Sequence, residues 1–133
     1  MFLLASRITK EHGLAETFDL QIIEVPDLAQ AKGKKHIIIL PPNIVYEYYL
    51  ARETELNRLI VKQQKQGAVN FATCSGAFIL ASTGLLNNRP ATTHWGLSDQ
   101  LKTLFSEVEI NTEKIIINDG DLITAGGSMS WMD

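Results

Sequence analysis

The single cysteine of this chain, Cys74, lies where a thiol can become reactive. An apolar, strand-like run precedes it at residues 68–72, and a helix-like run follows it at residues 76–82. A tight turn between a strand and a helix places the intervening side chain at the helix N-terminus, as in the nucleophile elbow of hydrolases. The N–H groups and partial positive charge of a helix start favour the thiolate over the thiol. The sequence therefore predicts an activated thiol at Cys74.

The order of the elements around Cys74 predicts an α/β fold. Strand-like runs occur at residues 18–25, 36–40, 68–72 and 90–93, and two more, at 114–117 and 122–124, flank a hairpin turn. Helical patterns occur at residues 2–10, 46–66, 76–83 and 97–105. Strands that alternate with helices predict a mostly parallel sheet covered on both faces, a three-layer sandwich of the flavodoxin or Rossmann type. Ligands bind at the carboxyl ends of such strands, and Cys74 follows one of them.

Length, composition and charge exclude several classes of protein. The 133 residues are expected to form one domain, and 45% hydrophobic with 20% charged residues is typical of a globular chain rather than a disordered one. No apolar run reaches the length of a membrane-spanning helix, and the N-terminus lacks the pattern of a signal peptide. A lone cysteine forms no internal disulfide, which fits a cytoplasmic protein. The net charge of −3 speaks against a nucleic-acid surface in this chain.

Three carboxylates near the C-terminus raise the question of a metal site. Asp119 and Asp121 flank a glycine in the predicted hairpin turn, where aspartate is common, and Asp133 is the last residue. A metal site needs a cluster of ligands, and no histidine or cysteine accompanies these three. We therefore predict a turn here, with neither a metal nor a cofactor.

Four sequence blocks follow one another in the second half of the chain. They read ATCSGAF, GLL, ATTHW and DGDLITAGG, and they occupy residues 72–78, 84–86, 91–95 and 119–127, with Trp131 and Asp133 after them. In this order they resemble the ThiJ/PfpI superfamily, the glutamine-amidotransferase-like α/β sandwich. More narrowly they resemble the N-terminal domain of AraC-type transcriptional regulators. Upstream, the resemblance depends on the order of the elements and on the strand that ends at Leu40.

The resemblance implies a partner for Cys74. In the family the elbow cysteine often works with a nearby histidine and with an acid from the first strand. His94 is then the candidate base beside Cys74, although a histidine next to Trp95 can equally be a packed, hydrogen-bonded residue of the loop. The first strand has no counterpart in this sequence, so no acid is assigned. The chain is accordingly expected to be a fragment that lacks the first strand and the last helix of the sandwich.

Ser75 distinguishes among the chemistries of the family. In PfpI-type proteases the residue after the elbow cysteine is the catalytic histidine, so the serine does not support peptidase chemistry. Isocyanide-hydratase-like members carry a threonine there and share the Thr-Thr-His-Trp block, which leaves a hydratase open. Ser75 also suits the cap or first turn of the following helix.

Candidate oxyanion groups flank the elbow on two sides. Pro41-Pro42-Asn43 stands where the family's enzymes usually carry a Pro-Gly-Gly turn that helps to form an oxyanion hole. Proline has no N–H, so only Asn43 can donate from this turn, and the loss of one donor costs on the order of 10²–10³ in rate. Gly126 and Gly127 follow the last strand, where they can cradle an anion or simply let the backbone turn close to Cys74.

Three hypotheses about function follow. The first is a regulatory sandwich of an AraC-type transcription factor, not an enzyme, which binds a small ligand or a second copy of itself and contacts DNA only through a domain absent from this chain. The second is a cysteine-dependent amidase or hydratase, with Cys74 as nucleophile, His94 assisting proton transfer, and the N–H groups of Ser75 and Asn43 holding the oxyanion. The third is a redox-responsive or structural dimerisation module. Trp95 and Trp131 are expected to pack in the core or in a dimer.

Overall fold

The computed structural model describes residues 21–42 and 54–127, which fall into two compact units that divide between Lys32 and Gly33. In the first unit, Val25–Gln30 forms a 3-10 helix with a proline in its first turn. Proline suits that place because its fixed φ matches a helix and its missing N–H has no helical partner to lose. The prediction of a strand at 18–25 is wrong where it can be checked, since residues 21–24 are not in a strand. The predicted helix at 2–10 lies outside the described residues.

The described residues of the second unit form two sheets. Strands β1 and β2 are Ile37–Leu40 and Val69–Thr73, β3 and β4 are Pro90–Ala91 and Glu109–Ile110, and β5 and β6 are Ile116–Asp119 and Leu122–Ala125. The larger sheet has the order β1-β2-β6-β5, with β1, β2 and β6 parallel and β5 antiparallel to β6. Strands β3 and β4 form a separate parallel pair. The predicted fold class, an α/β sandwich with a mostly parallel sheet, is confirmed.

Three helices accompany these strands within residues 33–42 and 54–127. They are α1 (Glu55–Lys65), α2 (Gly76–Ser82) and α3 (Ser98–Leu104), the last preceded by a 3-10 turn at Trp95–Leu97. All of α2 except its last residue is buried, because the helix lies within the hydrophobic core that also holds Ile60 of α1 and Leu101 of α3. The carboxyl end of β2 therefore leads straight into the core.

The predicted helix at 46–66 is not continuous, because its described part begins at Glu55. Thr54 has an extended backbone, with φ −70° and ψ 164°, and its side-chain oxygen accepts a hydrogen bond from the N–H of Asn57. A capping threonine satisfies a donor that the first turn leaves unpaired, so the helix begins after it. Residues 46–53 lie outside the described part, and the predicted C-terminal stop at Gly67 is confirmed one residue after the cap, Gln66.

Other predicted elements need smaller corrections. The hairpin is confirmed as β5 and β6, and Gly120 in its turn has a φ of +76°, a conformation that glycine adopts without strain. A continuous apolar run such as that of β1 is typical of a strand buried on both faces, but Ile37 is 48% exposed. Strand β4 was not predicted, since two residues show no periodicity. Within the described ranges, no helix has the length and apolarity needed to cross a membrane.

Candidate functional site

Cys74 lies on the corner that the sequence predicted, between β2 and α2. Its φ is +51°, a left-handed conformation that is uncommon for any residue other than glycine, and its side chain is half-buried. The backbone N–H of Cys74 donates to the carbonyl of Ala125 over 2.8 Å, and its carbonyl accepts from the hydroxyl of Thr93 over 2.8 Å. Such strained conformations persist only where the surroundings hold them. Here β6 holds the corner on one side and the segment after β3 on the other.

The threonines that hold the corner were not singled out in the sequence. Thr92, Thr93 and Thr124 are all at most 1% exposed. The side-chain oxygen of Thr124 accepts a hydrogen bond from the N–H of Thr92 over 2.8 Å, so that β6 is tied to the same segment that supports Cys74. The sequence signal that could have found them is the pair of adjacent threonines directly before His94. Buried hydroxyl groups need hydrogen-bond partners, so such a pair indicates contacts with neighbouring segments.

Gly76, the first residue of α2, is fixed by a close approach of two chains. A Cβ added to Gly76 would overlap the carbonyl oxygen of Leu40 and would lie 2.9 Å from the carbonyl oxygen of Pro41. No side chain fits there, so glycine is required to bring the start of α2 against the end of β1. The Gly after Cys74-Ser75 is therefore a packing residue.

The turn after β1 presents few donors to the elbow. Pro42 has no N–H, and the groups nearest Gly76 are the carbonyl oxygens of Leu40 and Pro41, which are acceptors. Asn43, the predicted donor, lies outside the described residues. Because Pro41 also lacks an N–H, the described part of this turn has no backbone donor for an oxyanion.

Ser75 and the two glycines occupy the remaining predicted positions. Ser75 is buried at the N-cap of α2, and its side chain makes no capping hydrogen bond to the helix. The N–H of Gly126 donates to the carbonyl of Ile115 over 2.8 Å, so it is committed to the end of the hairpin. A Cβ on Gly126 would lie 3.3 Å from the carbonyl oxygen of Thr93, which shows how closely the backbone after β6 approaches the segment that supports the elbow. Gly127 follows directly.

His94 is held in its own loop. Its Nδ1 accepts a hydrogen bond from the N–H of Gly96 over 3.2 Å, and its ring lies 5.2 Å from the ring of Trp95, tilted by 32°. No hydrogen bond joins His94 to Cys74 within the described part of the chain, although the preceding residue, Thr93, contacts the Cys74 carbonyl. Trp95 itself is 77% exposed, so of the two predicted placements, in the core or in a dimer, the core is excluded. Trp131 lies outside the described residues.

The hairpin is fastened by an ion-pair cluster. Arg89 binds Asp119 over 2.5 Å and Asp121 over 2.7 Å, and Gln64 of α1 donates to the second carboxylate oxygen of Asp121. The hydrogen bond from Arg89 lowers the pKa of Asp121, and the hydrogen bond to Asp121 raises that of Arg89, while partial burial opposes both shifts. The interpretation of these aspartates as turn residues is confirmed. No group of three metal-binding side chains occurs in residues 21–42 and 54–127.

The arrangement therefore supplies a half-buried thiol on a rigid corner, without a histidine hydrogen-bonded to it. Nδ1 of His94 already accepts a hydrogen bond from the N–H of Gly96, so this nitrogen is not an open acceptor for the thiol proton. The corner can contact a ligand through Cys74. Within residues 21–42 and 54–127, no histidine is hydrogen-bonded to the thiol to act as the base that nucleophilic catalysis requires.

The relatives found by sequence comparison include an enzyme and a transcriptional regulator. The chain is 35% identical over 74 residues to an isonitrile hydratase of Pseudomonas putida, which is 56% of this chain and 31% of that protein. It is also 35% identical over 83 residues to the HTH-type transcriptional regulator GlxA of Rhizobium meliloti, which is 62% of this chain and 24% of the regulator. Each match spans less than a third of the relative's own length.

Structural comparison gives the same fold. DJ-1beta of Drosophila melanogaster is similar with a TM-score of 0.65 at 25% identity, over 78% of this chain and 55% of that one. An AraC family transcriptional regulator from Pseudomonas putida is similar with a TM-score of 0.57 at 20% identity, over 73% of this chain and 50% of that one. The sequence profile of the DJ-1/PfpI family matches residues 5–133. With nearly its whole length matched and the elbow and sheet order in place, the chain belongs to the DJ-1/PfpI family.

Proposed function

We propose that this chain is the regulatory domain of an AraC-type transcriptional regulator, which senses a small ligand or pairs with a second copy, and that it does not catalyse a reaction. The observation that carries the proposal is the state of His94. Its Nδ1 is occupied by the N–H of Gly96, and it makes no hydrogen bond to Cys74 within the described residues. A nucleophilic cysteine needs a base within reach, so the corner suits contact with a ligand better than turnover.

Two further features support a binding role. The described part of the turn after β1 offers carbonyl oxygens near the elbow, and the N–H of Gly126 is committed to Ile115. The 35% identity to the regulator GlxA covers more of this chain than the match to the hydratase does. In this proposal Cys74 and His94 line a ligand pocket at the carboxyl end of β2, and DNA is bound by another domain of the regulator.

An enzyme remains the second candidate because of one observation. Cys74 is half-buried, carries a left-handed backbone and stands between a strand and a helix, which is the geometry of a nucleophile elbow. The relative named isonitrile hydratase shares this part of the sequence at 35% identity. In that case Cys74 attacks the substrate, His94 moves to assist proton transfer, and the N–H groups of Ser75 and Asn43 hold the developing negative charge.

The wider setting is part of the proposal. We propose that the protein is cytoplasmic and homodimeric, with residues 1–133 forming a single domain of the sandwich type. A regulator of this kind needs two copies to read two DNA half-sites, which is why pairing and ligand sensing belong to the same domain in our account.

The direct test is the reading frame that encodes the chain. We expect a helix-turn-helix segment to follow within the same frame, whereas a stop codon shortly after the sandwich would contradict the regulator. A second experiment tests for hydratase activity. The purified chain is incubated with an alkyl isonitrile, and NMR measures the N-alkylformamide that forms when water is added. We expect the same background rate for the chain and for Cys74→Ala. A rate that depends on Cys74 would favour the hydratase instead.

A further inference from the structure

Three basic side chains line a groove on the outer side of α1. Arg58, Lys62 and Lys65 are spaced by four and three residues, so they lie on one side of the helix, and all three are exposed. Together with Asn57, Ser82 and Thr83 they line an open groove of about 660 Å³ between α1 and the end of α2. We call this the basic groove.

The cations of the basic groove have no acidic partner among the described residues. Among these residues, the ion pairs are those of Arg89 with Asp119 and Asp121. Asp121 is the carboxylate that contacts α1, and both Arg89 and Gln64 already bind it. Glu55 lies three residues before Arg58 and forms no ion pair with it. Three positive charges therefore lie side by side with no ion pair to another described residue.

Helix stability alone does not explain this pattern. Lys62 and Lys65 lie near the C-terminus of α1, where the helix dipole favours a cation. Arg58 lies near the N-terminus, where the dipole disfavours one, and it faces Lys62 at a spacing of four, where like charges repel. An anion in the basic groove would remove both penalties.

The floor of the basic groove is rigid and offers no spare hydroxyl donors. Ser82 donates to the carbonyl of Ile79 and accepts from Asn57, and the hydroxyl of Thr83 donates to the carbonyl of Leu80. A ligand must then be recognised by the charged side chains that line the basic groove, which favours a ligand of high negative charge over a neutral polar one.

The spacing of the charges indicates an extended ligand. Arg58 and Lys65 are seven residues apart, which is about 10 Å along a helix at 1.5 Å per residue. A single phosphate reaches one or two of these cations, whereas a chain of phosphates reaches all three. The chain as a whole carries 15 acidic and 12 basic residues, so the basic groove is a local exception to a negative surface.

We propose that the basic groove binds an oligophosphate, either free or as the phosphate chain of a nucleotide. The ligand lies along α1, with its phosphates opposite Arg58, Lys62 and Lys65. This inference does not depend on the proposed function, because the basic groove is lined by α1 and the end of α2 and includes neither Cys74 nor His94.

The test is calorimetric titration of the 133-residue chain with tripolyphosphate in 0.15 M salt, where exposed charges are screened beyond about 8 Å. We expect saturable binding that weakens at least tenfold in the double variant Lys62→Glu, Lys65→Glu. The matched control, Lys102→Glu with Lys114→Glu, reverses two exposed lysines elsewhere and should stay within twofold of the unaltered chain. If circular dichroism shows that the first variant is unfolded, the neutral pair Lys62→Gln, Lys65→Gln replaces it, with a threefold or greater loss expected.

Titration with ATP in the absence of magnesium distinguishes a nucleotide ligand from a free oligophosphate. Binding tighter than that of tripolyphosphate assigns a nucleotide, and equal or weaker binding assigns a free oligophosphate. The proposal is overturned if the unaltered chain shows no saturable binding, or if the control variant loses as much affinity as the groove variant. Tighter binding of a glutamate-rich peptide of equal charge would also overturn it, since the basic groove would then dock an acidic protein.

Discussion

At the scale of single residues, the site depends on how one strained backbone is held. Cys74 has a φ of +51°, and its carbonyl accepts hydrogen bonds from the hydroxyl of Thr93 and from the N–H of Ala77, while its own N–H donates to Ala125. A left-handed conformation at a residue other than glycine costs on the order of 1–3 kcal/mol. The surrounding hydrogen bonds offset this cost, and they hold the backbone that carries the thiol.

Replacement of Thr93 by valine tests this support. The change keeps the shape of the side chain and removes its hydrogen bond to Cys74, and we expect a loss of about 1 kcal/mol in the free energy of unfolding, because the carbonyl keeps its second partner. Urea denaturation measures the loss. Thr103→Val is the matched control, since its hydroxyl bonds a backbone carbonyl on an exposed helix face. Equal losses in the two variants would contradict the role of Thr93.

At the scale of elements, the start of α2 is brought against the end of β1 by the absence of a side chain. The Cβ of an alanine at position 76 would overlap the Leu40 carbonyl oxygen, and neither backbone can move without disturbing the sheet. This contact places the corner with Cys74 beside the turn after β1. The geometry of the site is therefore decided by the packing of two elements as much as by the residues of the turn.

Gly76→Ala is expected to destabilise the protein by about 2 kcal/mol or more, as for other insertions into a filled space. Thermal unfolding followed by circular dichroism measures the effect. Gly96→Ala is the control, because its added Cβ would meet only the side chain of His94, at 3.3 Å, which can rotate away. A Gly76 variant as stable as the Gly96 variant would show that the close approach is not required.

The hairpin of β5 and β6 gives a pH-dependent contribution. The pKa of Asp121 is lowered mainly by its hydrogen bond with Arg89, so the stabilisation is present above the ordinary value of about 3.9 and is lost as pH falls below it. The raised pKa of Arg89 acts only in strong alkali. The Asp121 side chain is 44% exposed, so solvent screening limits the gain to about 1 kcal/mol or less.

We expect Arg89→Ala to lower stability at neutral pH and to lessen the further loss between about pH 4 and pH 2. Urea denaturation at several pH values measures both effects. Arg58→Ala removes an arginine without an acidic partner among the described residues and should leave the acid-dependent loss unchanged. An unchanged acid profile in Arg89→Ala would contradict the cluster.

Local sequence patterns predicted the helices and strands, but they did not predict the contacts between residues that are far apart in the sequence. The corner at Cys74, the strands around it and the hairpin were visible because apolar periodicity and turn residues act over a few positions. Thr93 lies 19 residues from its partner Cys74, and Arg89 lies 32 residues from Asp121, so no local pattern records these bonds. The start of α1 was not predicted because the helical periodicity of the sequence continues through Thr54. In the structure, the capping hydrogen bond of Thr54 marks where the helix begins.

At the scale of the whole molecule, the surface carries an apolar side chain that a monomer does not need. Trp95 is 77% exposed, and tryptophan is among the residues that most often dominate binding at protein interfaces. The sequence favoured a core or dimer contact for Trp95, and its exposure leaves the dimer as the prediction. This agrees with the proposed homodimeric regulator.

We expect Trp95→Ser to shift a monomer–dimer equilibrium towards monomer by tenfold or more, measured by sedimentation equilibrium. The control is Ile37→Ser, which replaces a second exposed apolar residue, this one in strand β1. It should change the equilibrium by less than threefold. A Trp95 variant that pairs as tightly as the unaltered chain, or a chain that is monomeric from the start, would contradict the prediction.

The central claim is that Cys74 stands on an elbow without a working histidine. The most direct measurement is the rate of Cys74 alkylation by iodoacetamide between pH 5 and pH 10 in the unaltered chain and in His94→Gln, with His36→Gln, another exposed-surface histidine, as the control. Our account predicts superimposable profiles in all three proteins, since His94 bonds Gly96 and not the thiol. A profile that moves to higher pH and slows at neutral pH in His94→Gln alone would show a working Cys74–His94 pair and would contradict the account.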